Sequence, residues 1–155
     1  MNIVKACEGD ILEPPQLHIA VGINSTRSEL RVCVLLQALP DVLIEKLAPG
    51  GDVEASLRRA DIVIGSEEVA LKAVLYKKLT IVVGEYGLGG LLTPGNLTEQ
   101  YHSGFIGRLR GEKNEYFSYE QLLHEIEKST CLSALILEHM SDWVENGTLN
   151  QRLSQ

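Results

Sequence analysis

The stretch Ala60–Gly84 reads ADIVIGSEEVALKAVLYKKLTIVVG. Two short apolar runs, Asp61–Gly65 (DIVIG) and Leu79–Gly84 (LTIVVG), flank a segment from Ser66 to Lys78 that reads as a helix with basic residues at its end, where the helix dipole favours them. Both runs are continuously apolar rather than alternating, as strands covered on both faces are. A strand, a helix and a second strand at this spacing make a parallel unit with the helix as crossover.

The same rhythm runs upstream. Leu17–Gly22 (LHIAVG) is an apolar run ending in glycine, and Ser25 to Leu39 is helical up to Pro40. Asp41–Leu47 (DVLIEKL) is the next run, Pro49-Gly50-Gly51 turns the chain, and Asp52 is placed to cap a short helix to Ala60. Alternating strands and helices predict an α/β domain of three α/β/α layers, Rossmann-like, with a mostly parallel sheet. Leu79–Gly84 is the last clear strand, and Gly84–Pro94 (GEYGLGGLLTP) reads as a glycine-rich loop. Ser118–Lys128 reads as a helix. A terminal amphipathic helix follows over 130–146, with Leu132, Leu135, Ile136, Met140, Trp143 and Val144 on one stripe. Pro14-Pro15 sets residues 1–15 apart as an N-terminal arm or extra strand.

The chain of 155 residues is long enough for one domain with a sizeable core. Its residues are 45% hydrophobic and 23% charged, which excludes a disordered or fibrous chain. With a net charge of −7 and only 5% aromatic residues, it lacks the basic surface and stacking rings of a nucleic-acid binder. The acid is uneven: residues 111–155 carry three Lys/Arg against eight Asp/Glu, whereas residues 52–110 carry seven of each. Cys7, Cys33 and Cys131 are scattered, so neither a disulfide framework nor a zinc site is expected, and a reducing cytoplasmic setting fits. No signal pattern and no membrane-spanning run is visible.

Ligands of open α/β sheets bind beyond the carboxyl ends of the strands. Three loops meet that description. The first, Gly22-Ile23-Asn24-Ser25-Thr26-Arg27, opens a helix; Asn24, Ser25, Thr26 and Arg27 suit phosphate oxygens, and a plain capped helix with a solvated arginine is the competing reading. In the second, Gly65-Ser66-Glu67-Glu68, Ser66 suits an N-cap and the two glutamates suit the helix dipole while repelling a phosphate. In the third, Gly87, Gly89 and Gly90 either cradle a ligand or turn tightly, and Glu85 and Tyr86 stand ready to hydrogen-bond a sugar. Arg108 lies downstream in a second glycine-punctuated stretch. No nucleophile elbow, P-loop or His-Glu-x-x-His is present, so no catalytic residue, metal or cofactor is assigned. His18, His102, His124 and His139 share no ligand spacing; His102 alone falls near the expected site.

Ala60–Asn96 (ADIVIGSEEVALKAVLYKKLTIVVGEYGLGGLLTPGN) resembles the C-terminal half of GT-B glycosyltransferases, the half that holds the nucleotide-sugar donor. The strand Ala60–Gly65, the helix with Ala70-Leu71-Lys72-Ala73, the strand ending at Gly84, Gly89–Asn96 and Gly107-Arg108 carry the likeness. It is dense over about 50 residues and extends as a pattern over roughly 17–128. The resemblance implies a nucleotide-sugar ligand near Gly65, Glu68, Lys72, Glu85, Tyr86, Gly87, Gly89, Gly90 and Arg108. Two departures matter. Lys72 stands where the family carries a glutamate for the ribose hydroxyls, and Glu67-Glu68 replace the turn that receives the diphosphate. The acceptor half is also missing. The readings that follow are a degenerate, nucleotide-sugar-binding transferase-like domain; one half of a split glycosyltransferase, completed by a GT-B N-terminal partner chain; or a non-enzymatic α/β binding or regulatory module. A homodimer through the terminal helix is a further expectation.

Overall fold

The computed structural model describes residues 16–47, 51–107 and 117–146. Strand β1 (Leu17–Gly22) leads through helix α1 (Thr26–Leu36) to β2 (Val42–Lys46). Helix α2 (Val53–Arg59), β3 (Ile62–Gly65), α3 (Glu67–Leu75) and β4 (Leu79–Gly84) follow. A fifth strand β5 (Gly87–Leu91) and helices α4 (Leu97–Ser103), α5 (Tyr119–Cys131) and α6 (Ser133–Asn146) complete the described chain. The sheet order is β2-β1-β3-β4-β5, parallel except for β5. This is the α/β, Rossmann-like layering expected from the alternation of runs. The N-terminal arm, the turn at 48–50 and Arg108 lie outside the described residues.

Register explains why the central strands read as unbroken apolar runs. Ile19 pairs with Ile62 and Ile64 with Ile81, so these side chains line one face with Val32 and Leu36 of α1. Ala20 and Val63 point to the other face and meet Leu57 of α2 and Ala73 of α3. Right-handed crossovers place α1 on one face and α2 and α3 on the other. The start of α5 joins the α1 side, where Arg31 Nε donates to the Phe117 carbonyl at 2.6 Å. Each fully buried isoleucine contributes about 1.5–3 kcal/mol of transfer free energy.

Four elements depart from the sequence expectation. Gly84–Pro94 is not a loop: Gly87–Leu91 folds back antiparallel to β4, with Glu85 and Tyr86 at the tip and a register shift between Val82 and Val83. Gly87 (φ 87°) and Gly90 (φ 95°) supply left-handed backbone that an L side chain adopts at a cost, so glycines that read as a loop here build an edge strand. Helix α3 stops at Leu75, because Lys77 turns left-handed (φ 59°). Lys77 and Lys78 therefore do not sit on the α3 dipole; Lys78 Nζ instead donates to the Arg58 and Ala60 carbonyls at 2.9 and 3.1 Å, closing the end of α2. Helix α5 extends to Cys131 and α6 begins at Ser133, so the chain breaks two to three residues later than the spacing suggested. Helix α4 is too short to leave a stripe in the sequence.

Of the terminal stripe, Ile136, Met140 and Trp143 are buried, whereas Leu132 and Leu135 stay exposed. The buried three recur at i, i+4 and i+7, one narrow seam that packs toward α3 and β4. Trp143 Nε1 donates to Thr98 Oγ1 at 3.2 Å, and its ring stacks edge-on against Tyr101 at 5.5 Å.

Candidate functional site

Strand order reverses at β1: the chain leaves β1 toward β2 on one side and returns to β3 on the other. Such a switch point opens a crevice at the carboxyl ends of the two strands. A cleft of about 970 Å³ lies there, reached by Gly22 and Asn24 after β1, Lys46 and Leu47 after β2, and the first turns of α2 and α3. Its floor depends on close strand approach. A Cβ on Gly65 would stand 2.9 Å from the Gly22 carbonyl oxygen and 2.8 Å from Val69 Cγ1.

Ser66 is buried, and its hydroxyl does not cap α3 as the sequence suggested. It accepts from the Asn24 backbone N–H at 2.8 Å and so ties the β1 loop to the start of α3. Asn24 Nδ2 donates to Glu67 Oε2 at 2.7 Å, closing the same seam from outside. Glu67 itself has a left-handed backbone (φ 50°), and its N–H donates to the Phe105 carbonyl at 2.9 Å. A non-glycine residue in that region costs about 1–3 kcal/mol, and these contacts hold it there.

The charge of the cleft is acidic. Glu29, Asp52, Glu54, Glu67 and Glu68 supply five carboxylates against the two ammonium groups of Lys46 and Lys72. Lys46 Nζ stands 3.8 Å from Glu29 Oε1, so one cation already faces an acid of the cleft. Glu67 and Glu68 also line a second pocket of about 420 Å³ beyond α3, walled by Leu71, Tyr101 and Phe105. Among the described residues no group of three or more His, Cys, Asp or Glu is arranged to hold a metal ion. No helix among them is long and apolar enough to cross a membrane.

Behind the α2 wall lies a polar cluster. Glu45 of β2 accepts from Ser56 Oγ at 2.5 Å and from Arg59 Nη2 at 2.7 Å, and His18 Nε2 lies 2.8 Å from its other oxygen. The Ser56 hydroxyl, then His18 and Arg59, hold the Glu45 carboxyl below the usual carboxylate range. Glu45 bridges serine and histidine, so histidine cannot take the serine proton; the set fixes α2 on the sheet and lacks the order of a nucleophilic triad.

The structure brings Asn24, Glu68 and Lys72 to the cleft, with Gly65 beneath. Of the other described candidates it brings none there. Ser25 caps α1 by accepting from the Ser28 N–H at 3.3 Å, and Thr26 and Arg27 point from the first turn of α1 as exposed residues. Glu85 and Tyr86 sit at the β4–β5 tip, where Tyr86 bridges to Gly107. Gly89 and Gly90 face protein: a Cβ at Gly89 would stand 2.4 Å from the Gly107 carbonyl oxygen, and one at Gly90 3.2 Å from Glu125 Oε1. Glu125 Oε1 accepts from the Leu91 N–H at 2.8 Å, so this carboxylate binds the edge strand. His102 lies exposed on α4, its ring 5.6 Å from that of Tyr101 and outside both pockets.

Lys46, Asp52 and Glu54 of the cleft were missed in the sequence reading, which considered the strand ends after β1, β3 and β4. The end of β2 obeys the same carboxyl-edge rule and marks Lys46 and Leu47 directly. Tyr101 carries no such signal, because it arrives on α4. Comparison with protein-family models, curated proteins and solved structures finds no match.

Proposed function

We propose that this chain is a glycosyltransferase-like binding domain, akin to the donor half of the GT-B enzymes, that holds a small hydroxyl-bearing ligand and performs no transfer alone. The cleft at the β1–β3 switch point carries this reading, because Asn24, Glu68 and Lys72 line it over Gly65. Gly65, Glu68 and Lys72 are three of the positions that the family resemblance assigns to a ligand, and Asn24 belongs to the loop after β1 that the carboxyl-edge rule marks. Carboxylates accept hydrogen bonds from sugar hydroxyls, and the Asn24 amide donates to ring and hydroxyl oxygens.

A split transferase is the second reading. The observation in its favour is that Asn24, Glu67, Glu68 and Glu85 are all exposed along the carboxyl edge of the sheet. A partner chain with the acceptor half would close over that edge.

The test is a thermal-shift screen with free sugars, nucleosides and nucleotide sugars, paired with an assay for transfer and hydrolysis. A saturating ligand at 100 times its Kd stabilises the fold by about 2.7 kcal/mol, or about 5–10 °C here. The expected result is a shift with hydroxyl-bearing ligands and no turnover. No shift with any of them overturns the reading. Turnover by the chain alone overturns its non-catalytic part, and turnover only with an added acceptor-half chain favours the split enzyme.

A further inference from the structure

The carboxyl ends of β3 and β4 are bridged by the segment Gly104-Phe105-Ile106-Gly107. The Glu67 N–H, just past β3, donates to the Phe105 carbonyl at 2.9 Å. The Tyr86 N–H, just past β4, donates to the Ile106 carbonyl at 3.0 Å. The Ile106 carbonyl lies so close over Gly84 that a Cβ there would stand 2.6 Å from its oxygen. Gln100 Nε2 pins the far end by donating to the Gly107 carbonyl at 2.9 Å. Two consecutive carbonyls thus occupy backbone donors at the edge where open α/β sheets bind ligands.

Two features of the closed segment oppose its own closure. Phe105, a bulky residue, has left-handed backbone (φ 55°), a conformation that persists only where its surroundings enforce it. Gln100 is fully buried, yet its Oε1 has no hydrogen-bond partner among the described residues. Lifting the segment relaxes the first and lets water reach the second. Against them stands the Phe105 side chain, buried and edge-on to Tyr101 at 6.3 Å. Gly104 (φ 87°) and Gly107 (φ 121°) flank the Phe105-Ile106 pair and supply hinges at both ends. We propose that Gly104–Gly107 is a strap that lifts as a unit while the rest of the fold stays closed, uncovering the carboxyl ends of β3 and β4 and freeing the Glu67 and Tyr86 N–H groups together. The strap rests on backbone contacts within the chain and is independent of which ligand the cleft takes.

The test is native-state hydrogen exchange of the full chain, read amide by amide by NMR over a series of low urea concentrations. The Glu67 and Tyr86 amides are expected to be protected to within about threefold of each other and about 100-fold less than the Val63 and Ile64 amides of β3, which open only with the whole fold. Urea should erode the β3 protection steeply and leave that of Glu67 and Tyr86 nearly flat, because lifting four residues exposes little surface. Phe105→Ala removes the ring that holds the strap down and should lower the Glu67 and Tyr86 protection together, by about 100-fold or more. Met140→Ala, remote from the strap, should lower the β3 protection alone. The urea series on the unaltered chain decides the matter should either variant fold poorly. Glu67 and Tyr86 amides that follow β3 in urea overturn the strap, since they then open only on global unfolding. Protection that differs more than about tenfold between the two amides, or a Phe105→Ala effect on one of them only, overturns opening as a unit.

Discussion

Replacing Glu45 with alanine removes the acceptor at the centre of the cluster that fixes α2 to the sheet. The carboxylate meets Ser56 Oγ at 2.5 Å, Arg59 Nη2 at 2.7 Å and His18 Nε2 at 2.8 Å. These contacts are unequal. Ser56 is 8% exposed, so stranding its hydroxyl costs about 1–3 kcal/mol, moderated by the Arg59 donor that stays at 3.2 Å. The Arg59 side chain is 55% exposed, and its pair is worth about 0.2–1 kcal/mol. The expected loss for Glu45→Ala is about 2–3 kcal/mol, a fall in Tm of about 5–10 °C. Glu45→Gln keeps the shape and one acceptor and should cost about 1 kcal/mol. The pH dependence has a definite sign. The folded-state pKa of Glu45 is lowered, so its contribution is present above the unfolded carboxylate value of about 4.3 and is lost as pH falls through the folded value. The gap between wild type and Glu45→Gln should therefore close on acidification. Glu145, also held low by Lys77, is common to both proteins and cancels in that difference. Urea unfolding at a series of pH values measures the gap. A Glu45→Ala protein within about 0.5 kcal/mol of wild type at pH 7, or a Glu45→Gln gap unchanged under acid, refutes the reasoning.

Gly89→Ala puts a methyl 2.4 Å from the Gly107 carbonyl oxygen and should cost about 1–3 kcal/mol with faster amide exchange in β5, whereas Gly95→Ala, whose nearest neighbour is Thr93 Oγ1 at 3.7 Å, should be close to neutral in the same assay. Met140→Ala empties a fully buried position under α6 and should lower the unfolding free energy by about 2–5 kcal/mol, read by denaturant titration. Arg27→Ala, in an exposed first turn outside the cleft, should leave the Kd of a cleft ligand within about twofold, and a larger loss by calorimetry would return the anion role to the α1 loop. Lys72→Glu exchanges a donor-only group for an acceptor in the cleft and should tighten a hydroxyl-bearing ligand about fivefold; an unchanged Kd would mean that Lys72 does not touch it.

The four parallel strands were legible because Leu17–Gly22, Asp61–Gly65 and Leu79–Gly84 are buried on both faces and Asp41–Leu47 keeps the same apolar character at the edge. A requirement that acts on every residue of a strand writes itself into consecutive positions. Helix starts were legible for the same local reason: Asp52 caps α2 through the Ala55 N–H at 3.0 Å, and Ser118 forms a capping box with Gln121. Tertiary structure alone decided what the glycines and the charges do. Gly87, Gly89 and Gly90 carry no side chain to declare a partner, and only the approach of Gly107 and Glu125 makes them an edge strand. Ser66 reads as a cap, yet its hydroxyl serves Asn24, 42 positions away, because β1 and β3 end side by side. The cleft draws its acid from α1, α2 and α3, elements far apart in the chain. Local sequence encodes which face of an element is apolar; which elements converge at one edge follows from strand order, and strand order is set by contacts distant in sequence.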